Sequence, residues 1–279
     1  MDLRAYLLER APWVERALDG AIPPASAAPG ALHAAMRHLL FPGGKRLRPA
    51  LALAAAEAVG APPERALPVA VAVELVHTYS LIHDDLPCMD DDAVRRGRPA
   101  VHVEFGEAIA VLAGNALLAA AFTALAQPNG EDAALRLAAA RDLAEAAGST
   151  RLVGGQVEDL AFDRARADPA GVEAVHAMKS AALLAAAIVG GARLGGAGDE
   201  TLAGLRRCGE AVGVAFQIAD DLLDEGEDEG CSLVTLVGPK AARARAEELL
   251  ALALSELEPL GERAEPLREL ARYAVRRDG

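Results

Sequence analysis

The chain has 279 residues, of which 52% are apolar, 25% are charged and only 3% are aromatic, and about a quarter are alanine. Alanine is the strongest helix former, and the residues that strands prefer are scarce, so the composition predicts an all-α protein and argues against sandwiches, barrels and doubly wound sheets. The net charge of −13 disfavours binding to nucleic acid or to anionic membranes, because like charges repel.

Helical periodicity runs along nearly the whole chain and is interrupted by short segments rich in proline and glycine. These interruptions are residues 21–30, 41–44, 60–64, 86–92, 126–132, 167–171, 190–200, 225–230 and 237–240. None of them resembles a linker between domains, so we expect one domain, residues 1–279, of about ten helices. Segments 108–126 and 181–189 are apolar on almost every side, which predicts two helices in the centre of the bundle.

The cysteines and the apolar segments bear on the compartment. Cys88, Cys208 and Cys231 are an odd number without CxxC spacing, which predicts neither a disulfide framework nor a zinc site and favours a reducing environment. The first sixteen residues carry frequent charges and lack the apolar core of a secretion signal. Apolar stretches such as 181–191 are expected to be too short to span a bilayer. We therefore expect a cytoplasmic protein without stable membrane insertion.

The segment HTYSLIHDDLPCMDDDAVRRGRP, residues 77–99, contains the densest set of ionisable groups. Pro87 cannot continue a helix, so we expect a helix that begins near Glu64 and ends at about Asp85. Asp84 then lies at the negative end of the helix dipole, and three more aspartates follow at 90–92. Repulsion among five carboxylates favours a divalent cation such as Mg²⁺, which takes carboxylate and phosphate oxygens. A solvated acidic loop is the alternative that these acids alone leave open.

A second acidic cluster lies in FQIADDLLDEGEDEG, residues 216–230. Asp220 and Asp224 are one turn apart on the same helix face, with Asp221 beside them, and like charges at this spacing destabilise a helix unless a cation lies between them. A solvated helix end is the alternative for this cluster by itself. Two such clusters in one helical chain favour metal binding.

Basic residues near these clusters could complement phosphate groups. They are Lys45, Arg46 and Arg48 on the glycine turn at 43–49, Arg95 and Arg96 after the first acidic cluster, and Lys179. The turn lacks the spacing of a Walker A loop. Lys179 lies in an apolar stretch, where an unpaired ammonium would be costly, and an ion-paired lysine is the alternative. His77 shares a helix face with Asp84. Together these residues predict Mg²⁺-dependent chemistry on a lipid-like diphosphate.

Five motifs, in this order, resemble those of the trans-prenyl diphosphate synthases over about residues 30–225. They are GGKRLRP (43–49), HTYSLIHDDLPCMDDDAVRRG (77–97), GGQ (154–156), MKS (178–180) and FQIADDLLD (216–224). The insert Pro87-Cys88 is similar to that of bacterial farnesyl diphosphate synthases. The resemblance implies an antiparallel helical bundle around a central apolar cavity, a homodimer, and synthesis of farnesyl diphosphate from isopentenyl diphosphate and dimethylallyl or geranyl diphosphate.

The resemblance also implies roles for individual residues. Six aspartates would hold about three Mg²⁺ ions on the allylic diphosphate: Asp84, Asp85, Asp90, Asp220, Asp221 and Asp224. Arg95, Lys179, Ser180 and Gln217 would contact that diphosphate, whereas Lys45, Arg48, His77 and Arg96 would bind isopentenyl diphosphate. The allylic cation would form in a dry cavity, the isopentenyl double bond would attack it, and a proton would then be lost.

Product length would depend on the residues just before Asp84. Tyr79 lies five residues earlier, about 7.5 Å along a helix, and the resemblance places Tyr79 and Ser80 at the floor of the product pocket. A tyrosine floor implies a fifteen-carbon product, and a packed core tyrosine is the alternative. Geranylgeranyl diphosphate is the alternative product. A noncatalytic regulatory subunit and a terpene cyclase are the alternatives outside this reaction, but both aspartate motifs and a second basic set are present.

The chain departs from the family pattern after Asp224. The family usually has a lysine in a Gly-Lys-Ser/Thr segment that helps to hold the allylic diphosphate, whereas this chain has Gly230-Cys231-Ser232. The next cation is Lys240. We expect weaker diphosphate binding, on the scale of a charged hydrogen bond of about 1.5–3 kcal/mol. The alternatives are a compensating position of Lys240 or a specialised partner or substrate. Ser180 replaces the usual threonine and keeps its hydroxyl.

Overall fold

The computed structural model describes residues 1–127, 133–223 and 230–276, and fourteen α-helices make up most of them. They are α1 (Leu3–Ala21), α2 (Gly30–Leu40), α3 (Leu47–Ala58), α4 (Leu67–Asp84), α5 (Val101–Phe105), α6 (Glu107–Ala126), α7 (Ala133–Ala147), α8 (Leu152–Leu160), α9 (Pro169–His176), α10 (Ala182–Leu194), α11 (Asp199–Leu223), α12 (Leu233–Val237), α13 (Pro239–Glu256) and α14 (Glu265–Val275). The all-α prediction is confirmed.

Short elements connect the helices. A 3₁₀ turn precedes α4 at Pro63–Ala66, another precedes α14 at Glu258–Ala264, and a π turn joins α9 to α10 at Ala177–Ala181. Two two-residue strands, β1 (Val94–Arg95) and β2 (Arg98–Pro99), pair antiparallel. The described helices exceed the predicted ten because four of them, α5, α8, α9 and α12, have nine residues or fewer.

Most predicted interruptions coincide with helix ends. The segment 21–30 lies between the end of α1 and the start of α2, and α4 ends at Asp84, one residue from the prediction. The interruptions at 126–132 and 225–230 fall largely outside the described residues. The interruption at 190–200 differs from the structure, because α10 continues through Gly190 and Gly191. A Cβ on Gly191 would lie 2.1 Å from the carbonyl oxygen of Ala52 on α3. Gly191 therefore allows two helix backbones to pack closely and does not end a helix.

The apolar core lies in two adjoining layers that share α3 and α10. One layer packs α4 against α6 and α2, and the other packs α11 against α13 and α14. Leu51, Leu184 and Ile188 are fully buried, and each contributes about 1.5–3 kcal/mol by leaving water. A Cβ on Gly213 of α11 would lie 2.3 Å from the Cα of Ala181. This close packing brings α11 next to the π turn.

The prediction that two helices are central holds for one of them. All but one residue of α10 are buried, as predicted for 181–189. The prediction for 108–126 is wrong, because α6 buries one side only and leaves Val111 and Leu112 40% and 52% exposed. An all-round apolar helix can equally cover the core with one face and leave the other without a partner in the same chain.

Three helical stretches are long and apolar enough to cross a membrane by length and composition alone: Pro63–Asp84, Glu107–Ala126 and Pro169–Leu194. The expectation that the apolar stretches are too short is therefore wrong in length. The fold buries 67% and 61% of the most apolar windows of the first and third stretches, but 33% of the second. The apolar residues of the first and third thus serve mainly the core of the bundle.

Candidate active site

A cavity of about 600 Å³ lies where α4, α8, α10 and α11 meet, and we call it the acidic cavity. Asp84, Asp90 and Asp220 line it. Asp84 is the last residue of α4, and the amide of Asp90 donates to the Asp84 carbonyl at 2.9 Å, so the loop folds back over the helix end. Asp220 lies on the last turn of α11. Acids 136 residues apart in sequence thus face the same space.

A smaller cavity of about 180 Å³ adjoins the first, and we call it the basic cavity. Lys45 lines only this cavity, whereas Arg48, His77, Arg96 and Phe216 line both. The structure therefore brings the four predicted isopentenyl-binding residues together, beside the three acids. His77 and Asp84 face the acidic cavity together, as their spacing on one helix face predicts.

Burial disfavours the charged forms of two carboxyl groups in the acidic cavity. Burial raises the pKa of Asp84 to about 7, and the neighbouring Asp90 and Asp85 add to the shift, while Lys179 and Arg95 oppose it. Burial also raises the pKa of Asp90. A carboxyl group with a raised pKa gains when a cation approaches, because its charged form is then favoured.

Two of the predicted metal ligands point elsewhere. Asp85 is fully buried and pairs with Arg95, whose Nε donates to Oδ1 at 2.8 Å. Asp221 is 7% exposed, and it accepts hydrogen bonds from Gln217 Nε2 at 3.0 Å and from the Leu233 amide at 3.3 Å. Neither residue lines the acidic cavity. Both carboxylates instead hold residues or segments that border it.

His176 adds a contact to the buried carboxylate of Asp221. Its Nε2 lies 3.6 Å from Asp221 Oδ2 and 3.0 Å from the Cys231 carbonyl oxygen. Asp221 therefore joins the end of α11 to α9 and to the start of α12. The motif Asp-Asp-x-x-Asp gave no sign of this difference between Asp220 and Asp221.

The π turn carries Lys179 and Ser180 into the acidic cavity. Such turns widen the helix by one residue and are frequent at functional sites. Lys179 is ion-paired with Asp159 of α8. Burial lowers the pKa of Lys179, but the attraction of Asp159 and Asp84 is stronger, so the pKa is raised. Ser180 Oγ donates to Gln217 Oε1 at 2.7 Å. Lys179 therefore remains a cation in the cavity.

The basic cavity keeps its histidine neutral. Burial and the guanidinium groups of Arg48 and Arg96 hold the pKa of His77 well below its usual range. Burial also lowers the pKa of Arg96, whose Nη1 donates to the Leu39 carbonyl oxygen at 2.9 Å. The cavity is thus strongly positive without help from His77, and a neutral imidazole can donate one hydrogen bond to an anion.

The two residues predicted to limit product length lie at different depths. Ser80 lines the acidic cavity, whereas Tyr79 lies in the adjoining core, 6% exposed. The ring of Tyr79 stands edge-on to that of His83, with 5.6 Å between their centres. A Cβ on Gly114 of α6 would lie 2.1 Å from His83 Nε2, so His83 is itself held tightly.

Sequence reasoning missed several residues of the site. Asp159, the partner of Lys179, follows the GGQ motif, but nothing in its local pattern indicated a lysine twenty residues later. Phe216, Leu152 and Leu183 supply apolar walls. A signal was available for Phe216, because it begins the motif that ends with the second acidic cluster.

The departure from the family pattern after Asp224 falls partly within the described residues. Asp224 and residues 225–229 lie outside the described residues. Lys240 is in the first turn of α13 and lines neither the acidic nor the basic cavity. A compensating position of Lys240 therefore finds no support among the described residues.

The residues present fit Mg²⁺. Asp84, Asp90 and Asp220 offer hard oxygen donors, and a bound cation would favour the charged forms of Asp84 and Asp90, whose pKa values burial raises. Within residues 1–127, 133–223 and 230–276, no three acids, histidines or cysteines form a preformed metal cluster. This agrees with Mg²⁺, which is commonly held by one or two carboxylates together with substrate phosphates.

The geometry can hold two anionic groups side by side, one through cations alone and one through carboxylates that require a metal. The walls between them are partly apolar, and a reactive cation is protected from water in such a space. No side chain near the acids forms the nucleophile–base pair of a covalent mechanism among the residues that line the described cavities.

Comparison with known proteins agrees with this geometry. The family model for Polyprenyl synthetase matches residues 29–230. The chain is 40% identical to the heterodimeric geranylgeranyl pyrophosphate synthase large subunit 1, chloroplastic, of Arabidopsis thaliana, covering 99% of this chain and 80% of that one. It is 42% identical to the dimethylallyltranstransferase of Fischerella ambigua, covering 99% and 84%.

A solved structure shares the fold over almost the whole chain. The apo crystal structure of an FPP/GFPP synthase from Zymomonas mobilis superposes with a TM-score of 0.91 at 37% identity, covering 98% of this chain and 99% of that one. With a family match over more than half of its length and the two charged cavities described above, this chain belongs to the polyprenyl synthetase family, the trans-prenyl diphosphate synthases.

Proposed function

We propose that this short-chain prenyltransferase condenses isopentenyl diphosphate with dimethylallyl and geranyl diphosphate to give farnesyl diphosphate. The observation that carries the proposal is the acidic cavity beside the basic cavity, with Arg48, His77 and Arg96 lining both. Two diphosphates held there would bring the reacting carbons of both substrates into the space between them. Holding two reactants together removes much of the entropic barrier.

The allylic diphosphate occupies the acidic cavity. Asp84, Asp90 and Asp220 hold Mg²⁺, in about three ions, and the metal supplies positive charge that stabilises the departing diphosphate. Lys179 and Arg95 contact the same diphosphate, and Gln217 donates its second amide N–H to it. Ser180 contacts the diphosphate when its hydroxyl turns from Gln217. Asp85 and Asp221 act by holding Arg95 and Gln217 in place. Each charged hydrogen bond contributes about 1.5–3 kcal/mol.

Isopentenyl diphosphate occupies the basic cavity. Lys45, Arg48 and Arg96 bind its diphosphate by charge, and neutral His77 donates a hydrogen bond. The double bond faces the allylic carbon, and the apolar walls exclude water that would quench the cation. The proton lost after condensation passes to the released diphosphate, the strongest base at hand. Within the described cavities, this assignment uses every predicted phosphate-binding residue.

Tyr79 is proposed to limit the product to fifteen carbons, because its buried ring packs against His83 next to Ser80, which lines the acidic cavity. A twenty-carbon product is the second candidate, and the name of the Arabidopsis relative favours it. A product chain that extends past Tyr79 would require the ring to leave its packed position. Product length is therefore the property on which the two candidates differ.

Two copies of the chain are proposed to pair through the outer face of α6. Val103, Val111 and Leu112 are exposed on α5 and α6, and most of α6 is apolar yet unburied. The Arabidopsis relative is named heterodimeric. Sedimentation analysis of the wild type should give a dimer, and Leu112→Glu should shift it towards monomer. A monomeric wild type at micromolar concentration would contradict the pairing.

A cytoplasmic location is proposed as well. All three cysteines are free thiols, and Cys208 is fully buried, which suits a reducing compartment. The Arabidopsis relative is named chloroplastic. Fractionation of cells that express the tagged protein would test the proposal, and recovery in a membrane or organelle fraction would contradict it.

The reaction is tested by incubating the protein with isopentenyl diphosphate and each allylic diphosphate, with and without Mg²⁺. A metal-dependent fifteen-carbon product supports the whole proposal. A twenty-carbon product keeps the reaction and replaces farnesyl by geranylgeranyl diphosphate. If no starter is elongated at any Mg²⁺ concentration, the enzyme proposal fails and the noncatalytic subunit takes its place.

A further inference from the structure

We propose that Arg46 is a positioning residue of the basic cavity: it fixes the turn that carries Lys45 and Arg48 and neutralises Glu74 in the cavity wall. The proposal rests on the proposed function, since it concerns the isopentenyl diphosphate site. Arg46 lies between the two predicted ligands in sequence and borders the basic cavity with them, but its guanidinium is bonded to the protein. It is 8% exposed, whereas Lys45 is exposed.

The hydrogen bonds of Arg46 leave little capacity for a substrate. Nε and Nη2 donate to the two carboxylate oxygens of Glu15 at 2.7 and 3.2 Å, Nη1 donates to Glu74 at 2.7 Å, and Nη2 donates to the Leu40 carbonyl oxygen at 2.6 Å. A guanidinium has five N–H groups, so four of them are committed. Arg46 therefore binds protein and not diphosphate.

These contacts fix the course of the turn. Arg46 joins α1 through Glu15, α4 through Glu74 and the end of α2 through Leu40. Its own backbone is left-handed, with φ of 52°, which is uncommon for a residue with a side chain and needs support from its surroundings. The reversal at Arg46 places Lys45 and Arg48 on the cavity side.

The two glycines before Lys45 make room for guanidinium groups. A Cβ on Gly43 would lie 2.0 Å from Arg46 Cζ, and a Cβ on Gly44 would lie 3.0 Å from Arg96 Nη2. Any side chain at 43 would displace Arg46 from Glu15 and Glu74. The Gly-Gly pair thus serves the packing of two arginines, which a flexible phosphate loop would not require.

Charge gives Arg46 its second effect. Glu74 lines the basic cavity and is 2% exposed. A buried carboxylate without its partner would repel an incoming diphosphate at short range, and breaking a buried ion pair leaves such an uncompensated charge. With Arg46 in place, the cavity presents the net charge of Lys45, Arg48 and Arg96.

The experiment compares Arg46→Met, Arg46→Lys and the double variant Arg46→Met/Glu74→Gln. Apparent KM is measured separately for isopentenyl and geranyl diphosphate. Arg46→Met should raise KM for isopentenyl diphosphate by about 10- to 100-fold, the scale of a lost charged contact. The KM for geranyl diphosphate should change less than threefold. Arg46→Lys should be intermediate, because an ammonium cannot reach all four acceptors. The double variant should recover at least threefold of the loss.

Two controls keep the test decisive. Arg207→Met breaks an exposed ion pair with Glu256 and should leave both KM values unchanged. Where Arg46→Met fails to fold, Glu15→Gln is used, and it should raise KM for isopentenyl diphosphate in the same direction by a smaller factor. Calorimetric binding of isopentenyl diphosphate without allylic substrate applies the same comparison even if the protein makes no product, so failure of the two proposals can be told apart.

The two KM values and the double variant distinguish a positioning role of Arg46 from a general loss of structure. A rise confined to isopentenyl diphosphate, with recovery in the double variant, supports the positioning role. Equal changes in both KM values would mean a general loss of structure and overturn it. An unchanged KM for isopentenyl diphosphate in Arg46→Met would overturn the claim that Arg46 fixes the turn. A double variant with a KM no lower than that of Arg46→Met would overturn the claim that Arg46 neutralises Glu74.

Discussion

The acidic and basic cavities adjoin each other but treat charge in opposite ways. In the basic cavity Arg46 neutralises Glu74, and the charges of Lys45, Arg48 and Arg96 remain in the cavity wall. In the acidic cavity burial raises the pKa values of Asp84 and Asp90, and the nearby Lys179 and Arg95 do not fully offset it. One cavity is complete for an anion, whereas the other is complete only with metal. The two diphosphates should therefore differ in their need for Mg²⁺.

The largest expected effect comes from removing one carboxylate that faces the acidic cavity. Asp84→Asn should lower kcat by about 10³-fold, because groups aimed at charge that develops in the transition state are each worth about that much. Single-turnover rates at saturating Mg²⁺ measure it. Asp19→Asn, on the exposed surface of α1, is the matched control and should be neutral. If Asp84→Asn kept a tenth of the wild-type kcat, the contrast between the acidic and basic cavities would be wrong for Asp84.

Removing the metal should separate the two cavities. Affinity for a non-hydrolysable geranyl diphosphate analogue should fall about 10²-fold on chelation, since a metal bridge to the diphosphate is lost. Affinity for isopentenyl diphosphate should change less than threefold, because Lys45, Arg48 and Arg96 bind it directly. Calorimetry with and without a chelator gives both values. An equal loss for both ligands would remove the distinction.

Lys179 tests which cation serves the allylic diphosphate. Lys179→Met should lower kcat/KM for geranyl diphosphate by about 10- to 150-fold, the range of a charged hydrogen bond. Lys240→Met should have little effect, because Lys240 lines neither cavity. Steady-state kinetics of both variants decide the matter. A larger loss at Lys240 would mean that it takes the place of the family lysine that this chain lacks.

The raised pKa of Asp84 predicts a pH-dependent stability of the metal-free protein. Its folded-state pKa of about 7 lies above the ordinary value of 3.8, so the native state binds the proton more tightly than the unfolded state does. This stabilisation is present below pH 4 and is lost as pH rises through 7. Between pH 5 and 8 the free energy of unfolding should fall by about 1–2 kcal/mol, which lowers the melting temperature by several degrees. Asp90 contributes in the same direction.

Scanning calorimetry of the wild type and Asp84→Asn measures this fall. The variant should show a smaller decrease, and Mg²⁺ should raise the wild-type melting temperature more at pH 8 than at pH 6. A melting temperature that rises with pH in the metal-free wild type would show that the acids are already compensated by the protein.

Tyr79 has the smallest expected effect on rate but changes the product. Tyr79→Ala removes the buried ring proposed as the floor of the product pocket, so products should lengthen by one or more five-carbon units while total turnover falls less than tenfold. Chromatography of dephosphorylated products measures the lengths. Tyr79→Phe keeps the ring and should leave the profile unchanged. An unaltered profile in Tyr79→Ala would remove the floor role.

Much of the site could be predicted from sequence, because its charged residues cluster in short segments around helix ends. Asp84, Asp90, Asp220 and Lys179 do line one cavity, as the motifs indicate. Asp85 and Asp221 could not be told from their neighbours in this way. Adjacent residues on a helix differ by about 100° in direction, so the second aspartate of each pair turns towards a buried partner, Arg95 or Gln217.

The sequence by itself determined the all-α class, most helix ends and the kinds of ligand, since alanine content, prolines and charge clusters act locally. Tertiary structure alone decided that α6 leaves an apolar face exposed, that Asp159 pairs with Lys179, and that the guanidinium of Arg46 bonds to Glu15, Glu74 and Leu40. These features depend on segments that are distant in sequence, and their contacts form only when the helices pack. Local patterns specify which groups are available, and packing decides which of them face the substrate.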